Sequence, residues 1–117
     1  MQAIIFINEE EPDRNGNQLD IDGLLLPTEV PVRMGFVGGR IGTAKPWREG
    51  NQIVADIKIP RIAGKIYPAI GYRAIESYRS IGGLTIVSKA EIIEVALCVE
   101  NADERIPPLD FSQYERE

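Results

Sequence analysis

The chain has 117 residues, 44% of them apolar, with 18 acidic and 13 basic side chains and a net charge of −5. That length fits one domain with a modest core, and the scattered Lys and Arg residues speak against nucleic acid as a partner, because phosphate binding needs clustered cations. There is no histidine and one cysteine, Cys98, so Ser–His and Cys–His nucleophile pairs, imidazole ligation of zinc and an intramolecular disulfide are all excluded.

In chain order, residues 2–8 read as a first strand rich in Ile and Phe. The run Ala3-Ile4-Ile5-Phe6-Ile7 is too short to span a bilayer, and nothing basic precedes it as in a signal peptide. The expectation is a soluble chain with no membrane partner. Residues 9–23 are polar and punctuated by Pro12, Gly16 and Gly23, which predicts a loop. Val32, Met34 and Phe36 alternate within a strand over residues 30–37, and Gly38-Gly39 makes a turn. A short strand over 40–45 is expected to stop at Pro46, with a second turn at Glu49-Gly50-Asn51.

The clearest period of two is Ile53, Ala55, Ile57, Ile59, ended by Pro60. Gly64 and Pro68 break the chain before a strand over 70–75. After Gly82-Gly83, residues 84–87 are β-branched and apolar, and Ile93, Val95, Leu97 and Val99 alternate with Glu94, Ala96 and Cys98. Residues 88–97 also fit an amphipathic helix, although their β-branched content favours a strand. Pro107-Pro108 opens an acidic tail. The predicted fold is mostly β with little helix: a small single-domain barrel or sandwich of five to seven strands over residues 1–106, followed by a tail or arm over 107–117.

No cofactor or metal is expected. The stretch from Asp13 to Asp20 has the oxygen ligands of a calcium loop, but Gln18 stands where the sharp-turn glycine belongs and Leu24 where the bidentate Glu belongs. A solvated turn is the better reading. Gly35, Gly38, Gly39 and Gly42 lack the Gly-Lys-Ser/Thr that completes a phosphate cradle. Ser88 adjoins Lys89, but strand neighbours point to opposite faces and cannot pair. The same alternation sets Glu91 and Glu94 on opposite faces. Asp20, Asp22, Glu91 and Glu94 keep a carboxylate-dependent chemistry open.

Four segments, read in order, resemble the prohead (capsid maturation) proteases of tailed bacteriophages. Asp13-Arg14-Asn15-Gly16-Asn17 with Asp22-Gly23-Leu24 is similar to that family's opening acidic-glycine loop. Val30-Pro31-Val32-Arg33-Met34-Gly35-Phe36, then Arg40-Ile41-Gly42-Thr43-Ala44, resembles its histidine strand and the Ile-Gly strand after it. Ala69-Ile70-Gly71-Tyr72-Arg73 resembles the motif that carries the serine nucleophile. Residues 89–99 with Asn101-Ala102-Asp103-Glu104-Arg105-Ile106 resemble the closing strand and its turn.

The resemblance implies an assemblin-like β-barrel and, at the same time, a vacated site. Ala69 stands where the nucleophile would be and Gly35 or a neighbour where the histidine would be. Only residues 61–67 remain where the family usually has a helix. The resemblance therefore implies a non-enzymatic phage structural protein, a capsid decoration (cement) or minor head protein. It would be made in the host cytoplasm, reside in the virion capsid, and bind the major capsid protein, itself, or both. Phe111 and Tyr114 in the tail are candidates for an arm that docks on a neighbour. The alternatives are an assembly factor inside the head, a carboxylate- or Lys-dependent hydrolase on the same barrel, and an unrelated small β module of a bacterial cell.

Overall fold

The computed structural model describes residues 1–9, 12 and 16–116. Its strands are β1 (Gln2–Ile7), β2 (Asn17–Leu19), β3 (Leu24–Leu25), β4 (Val30–Met34), β5 (Arg40–Glu49), β6 (Gln52–Lys58), β7 (Tyr67–Arg79) and β8 (Thr85–Cys98). Two short 3-10 segments, Ile21–Gly23 and Phe111–Arg116, complete the regular structure. All the strands join one sheet. The mostly-β, single-domain expectation therefore holds, with a curled half-barrel as its form.

Strand β8 organises the sheet. One of its edges pairs antiparallel with β7 along almost its whole length. The other edge receives β2, β3 and β4 in succession, each parallel to it. From β4 the sheet continues through β5 and β6 to β1, each step antiparallel. The outer strands β1 and β7 then approach each other without pairing.

Alternation decides what the sheet buries. Val32, Ile53, Ile57, Ile92, Val95 and Leu97 are each at most 1% exposed and form the centre of the core. Each such side chain contributes about 1.5–3 kcal/mol by leaving water. At Gly42 a Cβ would lie 2.0 Å from the Lys58 carbonyl oxygen, so β5 and β6 can close together there only over a glycine.

Several expectations need correction. The loop over 9–23 contains β2 and a 3-10 turn capped by Asp20, whose carboxylate accepts the Asp22 N–H at 2.9 Å. Strand β5 runs through Pro46, which sits opposite Ala55. Its partner on the other side, β4, reaches only to Ala44, so the missing N–H faces no ladder. Pro68 likewise lies inside β7, which among the described residues has β8 alone as a strand partner.

The helix-like spacing over 88–97 comes from a β-bulge. Gly71 pairs with Glu94 and Tyr72 with Ile92, which leaves Ile93 as the extra residue. Ile92 and Val95, three apart, therefore both enter the core, and Glu91 and Glu94 both turn away from it. The placement of those two carboxylates on opposite faces is overturned by this one inserted residue.

The largest correction concerns the end of the chain. Leu109, Phe111 and, more partially, Tyr114 pack on the core rather than forming an arm for a neighbour. Phe111 is 9% exposed and meets Tyr114 edge-to-face, with ring centroids 5.9 Å apart. The Tyr114 hydroxyl donates to the Ile59 carbonyl at 2.8 Å, and the Leu109 N–H donates to that of Ile66 at 2.8 Å. Apolar surface left open by the irregular segment after β6 is what draws these side chains inward.

Candidate functional site

The two positions singled out by motif order lie on either side of β8. Ala69 on β7 is opposite Ala96 of β8, which is in turn opposite Arg33 of β4. Gly35 follows Met34 at the end of β4, where its N–H donates to the Leu97 carbonyl at 2.8 Å. Its φ of +69° turns the chain out of the sheet, a conformation glycine adopts without strain. With strands spaced about 4.8 Å apart and a rise of about 3.3 Å per residue, Gly35 and Ala69, two strands apart and two residues out of register, are about 12 Å from each other. The sequence order thus brings both positions to one end of one strand trio.

Paired residues share a face of a sheet, so Ala69, Ala96 and Arg33 lie together on one face, where Ala96 is fully buried. Arg33 Nε meets Glu94 Oε2 at 3.1 Å on that face. A Cβ at Gly71 would fall 2.4 Å from Glu94 Cγ, which shows that the Glu94 side chain lies directly over that glycine.

A cleft of about 170 Å³ opens where β1 and β7 approach. Ile5, Phe6, Leu19 and Ile106 line it, and so do Ala69 and Phe36. Its carboxylates are Glu9 and Asp103. The described lining holds no serine, threonine, lysine or cysteine; its hydroxyl is that of Tyr72.

Both carboxylates are occupied in holding the fold. Glu9 Oε2 accepts the Leu19 N–H at 2.8 Å, at the far end of β2. Asp103 takes Arg105 in a forked contact, 2.8 Å from Nη2 to Oδ2 and 3.1 Å from Nε to Oδ1. Arg105 also donates to the carbonyls of Ile7 and Asn8 at 3.3 Å. The Arg105 hydrogen bonds hold the Asp103 carboxyl below its ordinary value, against a smaller opposing effect of burial. A carboxylate stabilised this way is a weak proton acceptor near neutrality.

The carboxylates named from sequence have separate partners. Asp22 pairs with Arg48 at 2.7 Å and Glu91 with Arg73 at 3.4 Å, while Glu94 is held by Arg33. Ser88 Oγ donates to the Glu76 carbonyl at 3.3 Å, and Ser80 Oγ accepts the Leu84 N–H at 3.2 Å. Asp13, Arg14 and Asn15 of the calcium-like stretch lie outside the described residues, and Asn17 to Leu19 of that stretch are strand β2. Burial raises the Cys98 thiol above its ordinary value.

Glu9 was not legible together with Asp103 and Arg105, because more than ninety positions separate it from them. No family model matches the chain, and no curated protein or solved structure does either.

Proposed function

We propose that this chain is a non-enzymatic structural protein of a tailed-bacteriophage particle, built on a degenerate prohead-protease fold. In this reading it is a capsid decoration or minor head protein, made in the host cytoplasm and carried in the virion. Its partners are the major capsid protein and further copies of itself. One observation carries the reading. The position matching the family's nucleophile, Ala69, lines a real cleft, and that cleft offers no serine, threonine, lysine or cysteine among its described residues. A cleft lacking an attacking group retains binding alone.

Mixing the purified protein with capsids and pelleting them tests this. Stoichiometric co-sedimentation with no cleavage of capsid protein is expected. Ala69→Ser should give no peptidase activity, because a hydroxyl without a base is a poor nucleophile. Turnover by the wild type that disappears with Glu9→Gln or Asp103→Asn would replace the proposal with a carboxylate-dependent hydrolase, the reading favoured by two carboxylates in one cleft. Presence in immature heads with loss from mature particles would instead assign an assembly factor.

A further inference from the structure

We propose that the hollow beside the β7–β8 hairpin binds a single uncharged sugar ring, a neutral pyranose. The hollow measures about 260 Å³ and lies where the end of β1, strand β2 and the hairpin meet. Asn8, Gln18, Asp20, Tyr78 and Ile86 line it, and none of these five belongs to the cleft beside Ala69. Strand register builds its floor. Ile86 of β8 is opposite Tyr78 of β7 on one side and Gln18 of β2 on the other. Paired residues share a face, so the three form one row across three strands. Leu19 and Val87, one residue on, face the core, and the row therefore faces away from it. Tyr78, 57% exposed, and Gln18 stand two strand spacings apart, about 10 Å, with an aliphatic side chain between them.

The polar rim is held in place by the backbone around it. Asn8 Oδ1 accepts the Ile21 N–H at 3.4 Å, and Gln18 Nε2 donates to the Glu9 carbonyl at 2.9 Å. Asp20 Oδ1 accepts the Asp22 N–H at 2.9 Å. Each side chain is tied at one polar atom, and among the described residues nothing takes the other: Asn8 Nδ2, Gln18 Oε1 and Asp20 Oδ2. Side chains fixed in this way lose little rotamer freedom when a ligand arrives.

The free atoms choose the class of ligand. Asn8 Nδ2 donates, Gln18 Oε1 and Asp20 Oδ2 accept, and the Tyr78 hydroxyl does both. An ammonium group only donates and would leave Asn8 Nδ2 facing a second donor. A phosphate or carboxylate only accepts and would meet the Asp20 charge. A hydroxyl group satisfies both kinds of partner. A pyranose ring carries hydroxyls at its rim and an apolar face of C–H groups, which suits an aromatic ring and an isoleucine lying beneath polar side chains. Size agrees. A cavity of roughly 150 Å³ holds benzene, so 260 Å³ admits a six-membered ring with its hydroxyls. A ligand of so few atoms binds in the millimolar range. This inference is independent of the particle role proposed above.

Proton–nitrogen NMR spectra of the full chain test it, with methyl glycosides of glucose, galactose, mannose and N-acetylglucosamine added to tens of millimolar. At least one should shift the signals of Gln18, Tyr78 and Ile86, while choline and inorganic phosphate should not. Tyr78→Ala should weaken binding about tenfold, and Tyr78→Phe, which keeps the ring, should restore most of it. Asp20→Asn keeps the cap but turns a free acceptor into a donor, and should weaken binding about fivefold. Signals from the core, unchanged in each variant, check that it is folded. No shift with any of the four sugars, or shifts confined to other parts of the molecule, would overturn the proposal. So would tighter binding of choline or phosphate, or a Tyr78→Ala protein that binds like the wild type.

Discussion

Strand β1 carries its unpaired edge beneath side chains from the end of the chain, whereas β7 sends its outer half into solvent. Gln113 bonds both backbone groups of Gln2, accepting its N–H at 2.8 Å and donating to its carbonyl at 3.0 Å, as a neighbouring strand would. At the other end of β1, Arg105 covers the carbonyls of Ile7 and Asn8. Along β7, residues 73–79 are all exposed. Its pairing with β8 shifts register after Gly71, after Ala74 and again after Glu76. Arg73, Glu76 and Arg79 interrupt the apolar side chains of that half.

An exposed strand edge invites pairing with another chain, and proteins suppress this by covering the edge or by making it irregular and charged. This molecule uses the first device on β1 and the second on β7. The difference follows from position. β1 lies against the core, where the returning chain end can reach it, while residues 73–79 of β7 stand exposed away from that chain end.

Removing the cover from β1 should have the largest effect. Truncation after Pro108 deletes two buried side chains, Leu109 and Phe111, together with the half-buried Tyr114 and the Gln113 clamp. We expect a loss of about 5 kcal/mol, a large part of the stability of a domain this size, measured by urea denaturation. A truncated protein of unchanged stability would show the chain end to be an accessory arm after all.

A gentler variant isolates the edge itself. Arg105→Ala with Gln113→Ala should cost about 1–2 kcal/mol and increase light scattering on storage, because β1 now offers bare backbone groups. Glu76→Ala, on the open half of β7, should change neither quantity measurably. Equal behaviour of the two variants would break the contrast between the edges.

Acid should weaken the same clamp. Asp103 has a folded-state pKa lowered by Arg105, so its stabilisation is fully present above the unfolded carboxylate value near 4 and lost as pH falls through the lower folded value. The wild type should therefore lose stability below about pH 4. Arg105→Ala should flatten that part of the pH profile in denaturation midpoints.

The smallest effect expected is at Cys98, opposite Tyr67 where β7 begins. Because burial raises its thiol pKa, disulfide reagents should modify it more slowly than a free thiol at neutral pH. Opening the base of β7 with Tyr67→Ala should speed the reaction.

Much of this architecture was legible where a single rule acted alone. The alternation of Ile53, Ala55 and Ile57 is a strand buried on one face, and β6 buries all three completely. Legibility failed where two rules competed. Pro46 and Pro68 read as strand ends, yet each lies where its strand lacks a neighbour on one side among the described residues, a circumstance that depends on how far other strands extend. The bulge at Ile93 superimposed a three-residue interval on a two-residue alternation, which is why a helix fitted residues 88–97 nearly as well. Within the candidate site, Gly35 and Ala69 could be singled out because each sits in a recognisable run of residues. The clamp of Asp103 and Arg105 on Ile7 and Asn8 joins distant segments, and no local pattern announces it.

The amino-acid sequence alone determined that this protein is built of strands, that histidine chemistry is closed to it, and that Ala69 brings no side-chain oxygen to its place in the fold. Those properties follow from side-chain type and short-range alternation. Tertiary structure alone decided that β8 is the common partner of four strands, that the sheet stops short of closing and leaves a cleft, and that Phe111 and Tyr114 turn inward. Each of these depends on which apolar surfaces remain uncovered once the strands have paired, a quantity no local stretch of sequence contains.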